Sequence, residues 1–358
     1  MNSKILVTGA CGFVGNAIIR ALLERAEGIE IAGMDNYSRP GSEINRISLR
    51  DLGVRIVHGD IRNWSDIADL PQVDWVIDAA ANPSVLAGAD GSTSSRQLVE
   101  HNLHGTLNIL EYCKRVKAGL VLLSTSRVYS IPALASLPLV AGALTFEWDE
   151  KSTPPKGASR SGLDVDFSTA PPVSLYGSTK LASELVALEY GHTFSFPVWI
   201  NRCGVMAGRG QFGTAEQGIF SYWIHAYAQK RPLKYIGFEG SGRQVRDALH
   251  PDDLADLICR QIEHPDEVGS RIFNVGGGPQ NAMSLAQLTA WCAERFGEHT
   301  VQADSVPRAF DVPWVVMDNR RASEQFNWSP KRNLVSILDE IANHAVANPH
   351  WLELSSTG

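Results

Sequence analysis

Cysteine is scarce in this chain, and none of it is paired. Cys11, Cys113, Cys203, Cys259 and Cys292 are scattered, odd in number and form no C-x-x-C motif. That pattern argues against a disulfide framework or a zinc site and for a reducing compartment, so a cytoplasmic location is expected. The ten histidines show no i, i+4 pair, and no metal is expected. No basic block occurs. Lys and Arg number 32 against 39 Asp and Glu, a net charge of −7, which argues against nucleic acid as the main partner. Internal repeats and low-complexity linkers are also missing. The chain begins as a strand entering a glycine turn, unlike a signal peptide. One long uncharged run exists, the 19 residues Val128–Phe146. It reaches the length of a membrane span, but Pro132, Pro138 and Gly142 interrupt it. It reads as an apolar lid or interface insert, and no membrane contact is expected.

What is present is ordinary globular material. The 358 residues are 44% hydrophobic and 20% charged, enough chain for a core without staples and for about two domains. The first half alternates short apolar runs with amphipathic stretches. Strands are expected at Lys4–Thr8, Ile29–Asp35, Arg55–His58, Trp75–Ala79, Leu120–Ser124 and Pro197–Asn201. Helices are expected at Gly15–Arg25, Ser95–Lys117 and Tyr176–Tyr190. This order implies an α/β protein with a doubly wound, Rossmann-type parallel sheet. Between Ser130 and Pro172 the pattern fails. The expected division is a dinucleotide-binding domain over 1–200, with an insert at 130–172, and a smaller mixed C-terminal substrate domain over 201–358. Segments of the two are expected to interleave.

Gly9-Ala-Cys-Gly12-Phe13-Val14-Gly15 follows a strand and opens a helix. A turn this tight needs residues without Cβ, and the helix N-terminus favours a pyrophosphate. Asp35 ends the next strand, 23 residues after Gly12, where an acid can accept bonds from an adenosine ribose. An acid there favours NAD over NADP, although Arg39 nearby softens the preference. Asp60 and Ile61 close the third strand where an adenine edge would lie.

Tyr176-Gly-Ser-Thr-Lys180 places a phenol and an ammonium on one helical face. A nearby cation favours the phenolate of a tyrosine that is otherwise a poor base at neutral pH. Thr125 stands at the end of the fifth strand, on the edge where such sheets bind ligands. Cys203 reads as a small buried filler before a proton shuttle, and Tyr222, Trp223 and Tyr227 as packing before stacking on a base.

The glycine turn, Asp35, Asp60, Asn102-x-x-Gly-Thr106, Thr125 and the Tyr176/Lys180 pair together resemble the extended short-chain dehydrogenase/reductases, NAD-dependent enzymes of nucleotide-sugars. The strings Asp35-Asn36-Tyr37-Ser38-Arg39, Val57–Asn63, Arg202 through Gly218, and Gly240–His250 are most similar to the branch that epimerises CDP-deoxyhexoses at C2. The resemblance implies that Tyr176 is the base, Lys180 its tuner and a ribose contact, and Thr125 the partner of the substrate hydroxyl. It implies cofactor contacts from Gly9, Gly12, Phe13, Val14, Gly15, Asp35, Asn36, Ser38, Arg39, Asp60, Ile61, Ala79, Ala80, Ala81 and Asn102. Arg202, Gln211, Arg246 and Arg308, with Thr125, are implied for a nucleotide-diphosphate sugar, CDP-linked by preference. A homodimer or homotetramer formed through Ser95–Lys117 and Tyr176–Tyr190 is implied as well.

The family's usual Val-Tyr-Gly is here Val128-Tyr129-Ser130. The dehydratases' Thr-Asp-Glu is here Thr125-Ser126-Arg127, so water elimination is not expected. The alternatives are a 4-epimerase or reductase of the same family, and a catalytically silent NAD-binding regulator.

Overall fold

A computed structural model describes residues 3–25, 28–89 and 94–356. Its centre is a sheet of seven parallel strands: β1 (Lys4–Thr8), β2 (Glu30–Asp35), β3 (Arg55–His58), β4 (Trp75–Asp78), β5 (Gly119–Thr125), β6 (Val198–Cys203) and β7 (Ile272–Val275). They lie in the order β7-β6-β5-β4-β1-β2-β3. The order reverses between β1 and β4, and in such sheets ligands bind in the crevice at the carboxyl ends of the strands flanking that point. The central strands are apolar through their middles because both faces are covered. Ile5, Val7, Ile77 and Val121 join one core cluster, whereas Leu6, Val76, Leu120 and Leu122 join the other.

The longer helices are α1 (Phe13–Arg25), α2 (Gly105–Val116), α3 (Ser174–Phe194), α4 (Ile219–Ala228), α5 (Pro251–Glu263), α6 (Leu285–Phe296) and α7 (Leu334–Ala347). Helices α1 and α5 cover the first face through Ile18, Ile19, Leu22, Leu254 and Ile258. Helices α2 and α3 cover the second through Ile109, Leu110 and Ala187. Strand β7 and helix α5 come from beyond residue 200, yet both belong to this first layer.

The single helix expected over Ser95–Lys117 is instead three pieces. Ser95–Val99 runs into a wider π-type turn, Glu100–His104, before α2 begins. Such local widening is commonest near functional sites, and here it carries the buried Asn102.

A second, smaller sheet centres on Val245–Leu249, flanked by Val205–Met206, Ala282–Ser284 and Trp314–Val315. Helices α4, α6 and α7 pack together beside it through Trp223, Ile224, Tyr227, Leu288, Ile337 and Ile341. The aromatic residues of α4 thus serve packing. The uncharged run from Val128 is an interface element. Val128, Leu134 and Leu137 pack with Leu163 and Phe167 against Val245, Val312 and Trp314–Met317. Among the described residues no helix is long and apolar enough to cross a membrane.

Candidate active site

The glycine turn joins β1 to α1. Gly9 adopts φ +62°, and a Cβ there would come within 2.9 Å of the Ala79 carbonyl oxygen. A Cβ on Gly15 would lie 2.2 Å from the Gly9 oxygen. The turn is therefore closed to larger residues, and the α1 N-terminus opens into a cleft of about 450 Å³. Gly9, Gly12, Phe13, Val14 and Gly15 line one end of it, with Ala79, Ala80 and Ala81 from the loop after β4. Asp35, Asn36, Ser38, Arg39 and Ile61 line the same end.

The carboxylate of Asp35 accepts the backbone N–H groups of Cys11 and Tyr37, each at 2.8 Å. Burial raises its pKa against those bonds. Each of its oxygens keeps capacity for a hydroxyl donor. The Arg39 guanidinium is half-buried, and it donates to the Phe212 carbonyl and to Gln217 Oε1 rather than pairing with an acid. A backbone cradle that a Cβ would fill, a helix N-terminus and a ribose-type acid thus fit a dinucleotide.

Two residues expected on the cofactor stand behind the wall. Asp60 accepts from Arg62 Nη2 at 2.6 Å and from Asn36 Nδ2 at 2.9 Å. Burial alone would raise its pKa, but these bonds hold its carboxyl well below the usual carboxylate range. Arg62, two residues on, captures the carboxylate before it can face an adenine, so Asp60 orients Asn36 instead. Asn102 bonds both backbone groups of Asn82 and donates to Thr179 Oγ1. It braces the loop after β4 against α3.

Thr125, Tyr176 and Lys180 all line the middle of the cleft. Thr125 Oγ1 accepts the N–H of Arg127 at 3.2 Å, and the Thr125 and Tyr176 side chains line the same cleft. Burial raises the Tyr176 pKa, whereas the neighbouring Thr125 hydroxyl and the Arg127 charge lower it. Lys180, expected to tune the phenol, lies one turn along α3 in the same cleft. Burial lowers the pKa of Lys180, which faces Asp78 and Glu184. Burial pushes the neighbouring Cys203 thiol up to about 12, so it is a neutral filler rather than a proton acceptor near pH 7.

Gln211, Arg246 and Arg308 also line the cleft. Arg246 donates to Asp311 Oδ1 at 3.0 Å and to the Val312 carbonyl. Arg127 joins this group. Burial and the facing Arg246 and Arg308 push its pKa down to about 10, and Asp311 opposes them. Three guanidinium groups gathered in one cleft, with Asp311 and Asp247 acting on Arg246, make a site that an anion would stabilise.

Arg202, expected on the substrate, is not in the cleft. It donates to both Glu184 oxygens at 2.7–3.1 Å. It is buried because β6 turns that residue toward α3, where the carboxylate waits. Sequence reading missed Arg127 and Asp311 as parts of the site. Arg127 carried a signal, as a cation in place of the dehydratases' acid, but Asp311 carried none.

A doubly wound sheet, a glycine turn at its switch point and a Tyr/Lys/Thr cluster at its carboxyl edge define a dinucleotide-dependent α/β enzyme. The chain belongs to the NAD dependent epimerase/dehydratase family, whose model matches residues 5–276. It is 30% identical to a CDP-paratose 2-epimerase of Salmonella typhi, over 92% of this chain and 95% of that one. It is 26% identical to a UDP-glucuronate 4-epimerase of Thermodesulfobacterium geofontis, over 96% of each. Among solved structures, the UDP-glucuronic acid 4-epimerase of Bacillus cereus in complex with UDP-glucuronic acid and NAD superposes with a TM-score of 0.73. It is 25% identical, with 96% of this chain and 99% of that one covered.

Proposed function

We propose that this chain is an NAD-dependent epimerase acting at C2 of a CDP-linked deoxyhexose. The observation that carries the reading is the single cleft that joins the glycine turn, the Thr125/Tyr176/Lys180 cluster and the Arg127/Arg246/Arg308 group. NAD, held at the glycine turn and Asp35, supplies the hydride acceptor that this chain's own side chains cannot provide. Tyr176 removes the proton of the sugar hydroxyl as the adjacent C–H bond gives up its hydride, leaving a keto-sugar. Thr125 holds that oxygen. With the keto-sugar turned to its other face, reduction by a bound NADH would be matched by Tyr176 giving its proton back to oxygen. No net oxidation occurs, so the cofactor need not leave.

Arginines suit the diphosphate because their planar forks match phosphoryl oxygens. The C2 and CDP assignments rest on the 30% identity to the Salmonella typhi enzyme over nearly the whole chain. The 26% identity to a UDP-glucuronate 4-epimerase favours a second reading, 4-epimerisation of a UDP-sugar. A homodimer or homotetramer is part of the proposal. Val99 and Leu185, on the two helical segments expected to pair, are 42% and 62% exposed. The five free cysteines suit a cytoplasmic setting.

The test is to denature the pure protein, measure the nucleotide released, and assay CDP-paratose beside UDP- and GDP-sugars. Near one NAD per chain with conversion of CDP-paratose supports the reading. Turnover of a UDP-sugar alone moves the assignment to a 4-epimerase. An empty site that exchanges NAD(H) freely points to a reductase.

A further inference from the structure

Arg127 stands where the two halves of the cleft meet. Its N–H is bonded to Thr125 Oγ1, and its carbonyl oxygen would lie 2.2 Å from a Cβ on Gly177. Its backbone is therefore pinned both to the catalytic hydroxyl and to the residue after Tyr176. Its side chain donates to the Phe310 carbonyl at 3.0 Å. It lines the same cavity as Tyr176, Arg246, Arg308 and Asp311, close enough for their charges to act on it. The nearby Asp311 is bonded to Arg246, so among the described residues the Arg127 guanidinium has only a backbone carbonyl as partner and is short of negative charge. Two groups can supply it: the Tyr176 phenolate or the phosphoryl oxygens of a bound substrate.

We propose that Arg127 is a positioning residue that couples substrate binding to the ionisation of Tyr176. This rests on the nucleotide-sugar reading of the cleft. In the free enzyme its charge favours the phenolate. In the complex the guanidinium is taken up by the substrate's phosphoryl oxygens, and the phenol is left to exchange its proton with the sugar hydroxyl. The other groups facing the phenol are Thr125 from β5 and Cys203 from β6. Lys180, one turn along α3, faces Asp78, Glu184 and Cys203.

The pH profile of kcat/KM reports the free enzyme and that of kcat the complex. Replacing Arg127 with Met should move the acid limb of kcat/KM up by about one pH unit and leave the limb of kcat in place. KM should rise about tenfold or more, as for a lost charge-assisted hydrogen bond. Arg127→Lys keeps the charge but not the fork, so it should restore the limb and not KM. Arg127→Gln serves in place of Met if that variant does not fold.

A second readout needs no turnover. The phenolate absorbance of wild type minus Tyr176→Phe gives the titration of Tyr176, and the same difference on the Arg127→Met background should titrate about one pH unit higher. Unmoved titrations with a raised KM would make Arg127 a plain phosphate clamp and overturn the coupling. Failure of the wild type to convert any nucleotide-sugar would overturn the epimerase reading, while the absorbance titration still decides the role of Arg127.

Discussion

Arg202 lies against Glu184 with their side chains 6% and 1% exposed, its Nη2 donating to the carboxylate at 2.7 Å. The same guanidinium donates to the Val165 carbonyl at 3.1 Å, so one ion pair ties the 130–172 insert to β6 and α3. Substituting Arg202 with Met leaves a buried carboxylate without its counter-charge. The expected loss is about 3–5 kcal/mol of stability, read by denaturant unfolding, with KM less affected than by Arg246→Met. Unchanged stability with a large rise in KM would return Arg202 to the substrate.

Tyr176→Phe should lower kcat by a factor of about 10²–10⁴, with the cofactor still bound and the unfolding midpoint close to wild type. Thr125→Val should act on the same step, because it removes the hydroxyl that lines the cleft beside the phenol. A Tyr176→Phe enzyme within a few-fold of wild type would place the proton transfer elsewhere.

Arg39 closes the cofactor end of the cleft by bonding Phe212 and Gln217 on the facing loop. That loop is held from behind, because Phe212 stacks on Trp351 and Trp351 Nε1 donates to the Gln211 carbonyl at 2.9 Å. Arg39→Met should therefore release NAD during purification, measured as nucleotide per chain after denaturation, and added NAD should restore turnover. Full retention of the cofactor in that variant would mean that Arg39 does not latch the cleft.

Asp247 gives a pH dependence of stability. Its carboxyl is raised from 3.8 to about 6 by burial, against bonds from the Gly278 and Met317 N–H groups. Between those values the folded chain holds more protons than the unfolded one, so this group's contribution to stability falls as pH rises and is lowest above pH 6. Asn keeps an oxygen for both donors and cannot ionise. Wild type should thus lose stability relative to Asp247→Asn as pH goes from about 4 to about 6.5, checked by urea unfolding across that range. A constant difference would show that Asp247 stays ionised throughout.

Elements whose cause is local are legible in the sequence itself. Strands β1 and β3 fall where their apolar runs and punctuation place them. The glycine turn falls where three glycines and a following acid require it. Other elements depend on distant partners. The π-type turn at Glu100–His104 follows from Asn102 bonding the Asn82 backbone, and no periodicity within the helix announces that. Strand β7 is a four-residue segment, identified as part of the sheet by its pairing with β6.

The arginines show the same division more sharply. The residues themselves establish a parallel α/β sheet, a dinucleotide turn and a Tyr/Lys pair, because each is a pattern of neighbours along the chain. Which arginines reach the cleft was decided by tertiary structure alone. A strand sends alternate side chains to opposite faces, and a buried carboxylate such as Glu184 captures whichever guanidinium is turned toward it. Arg202 is held in the core for that reason. Arg127, from the short turn after β5, lines the cleft together with Tyr176, Arg246 and Arg308.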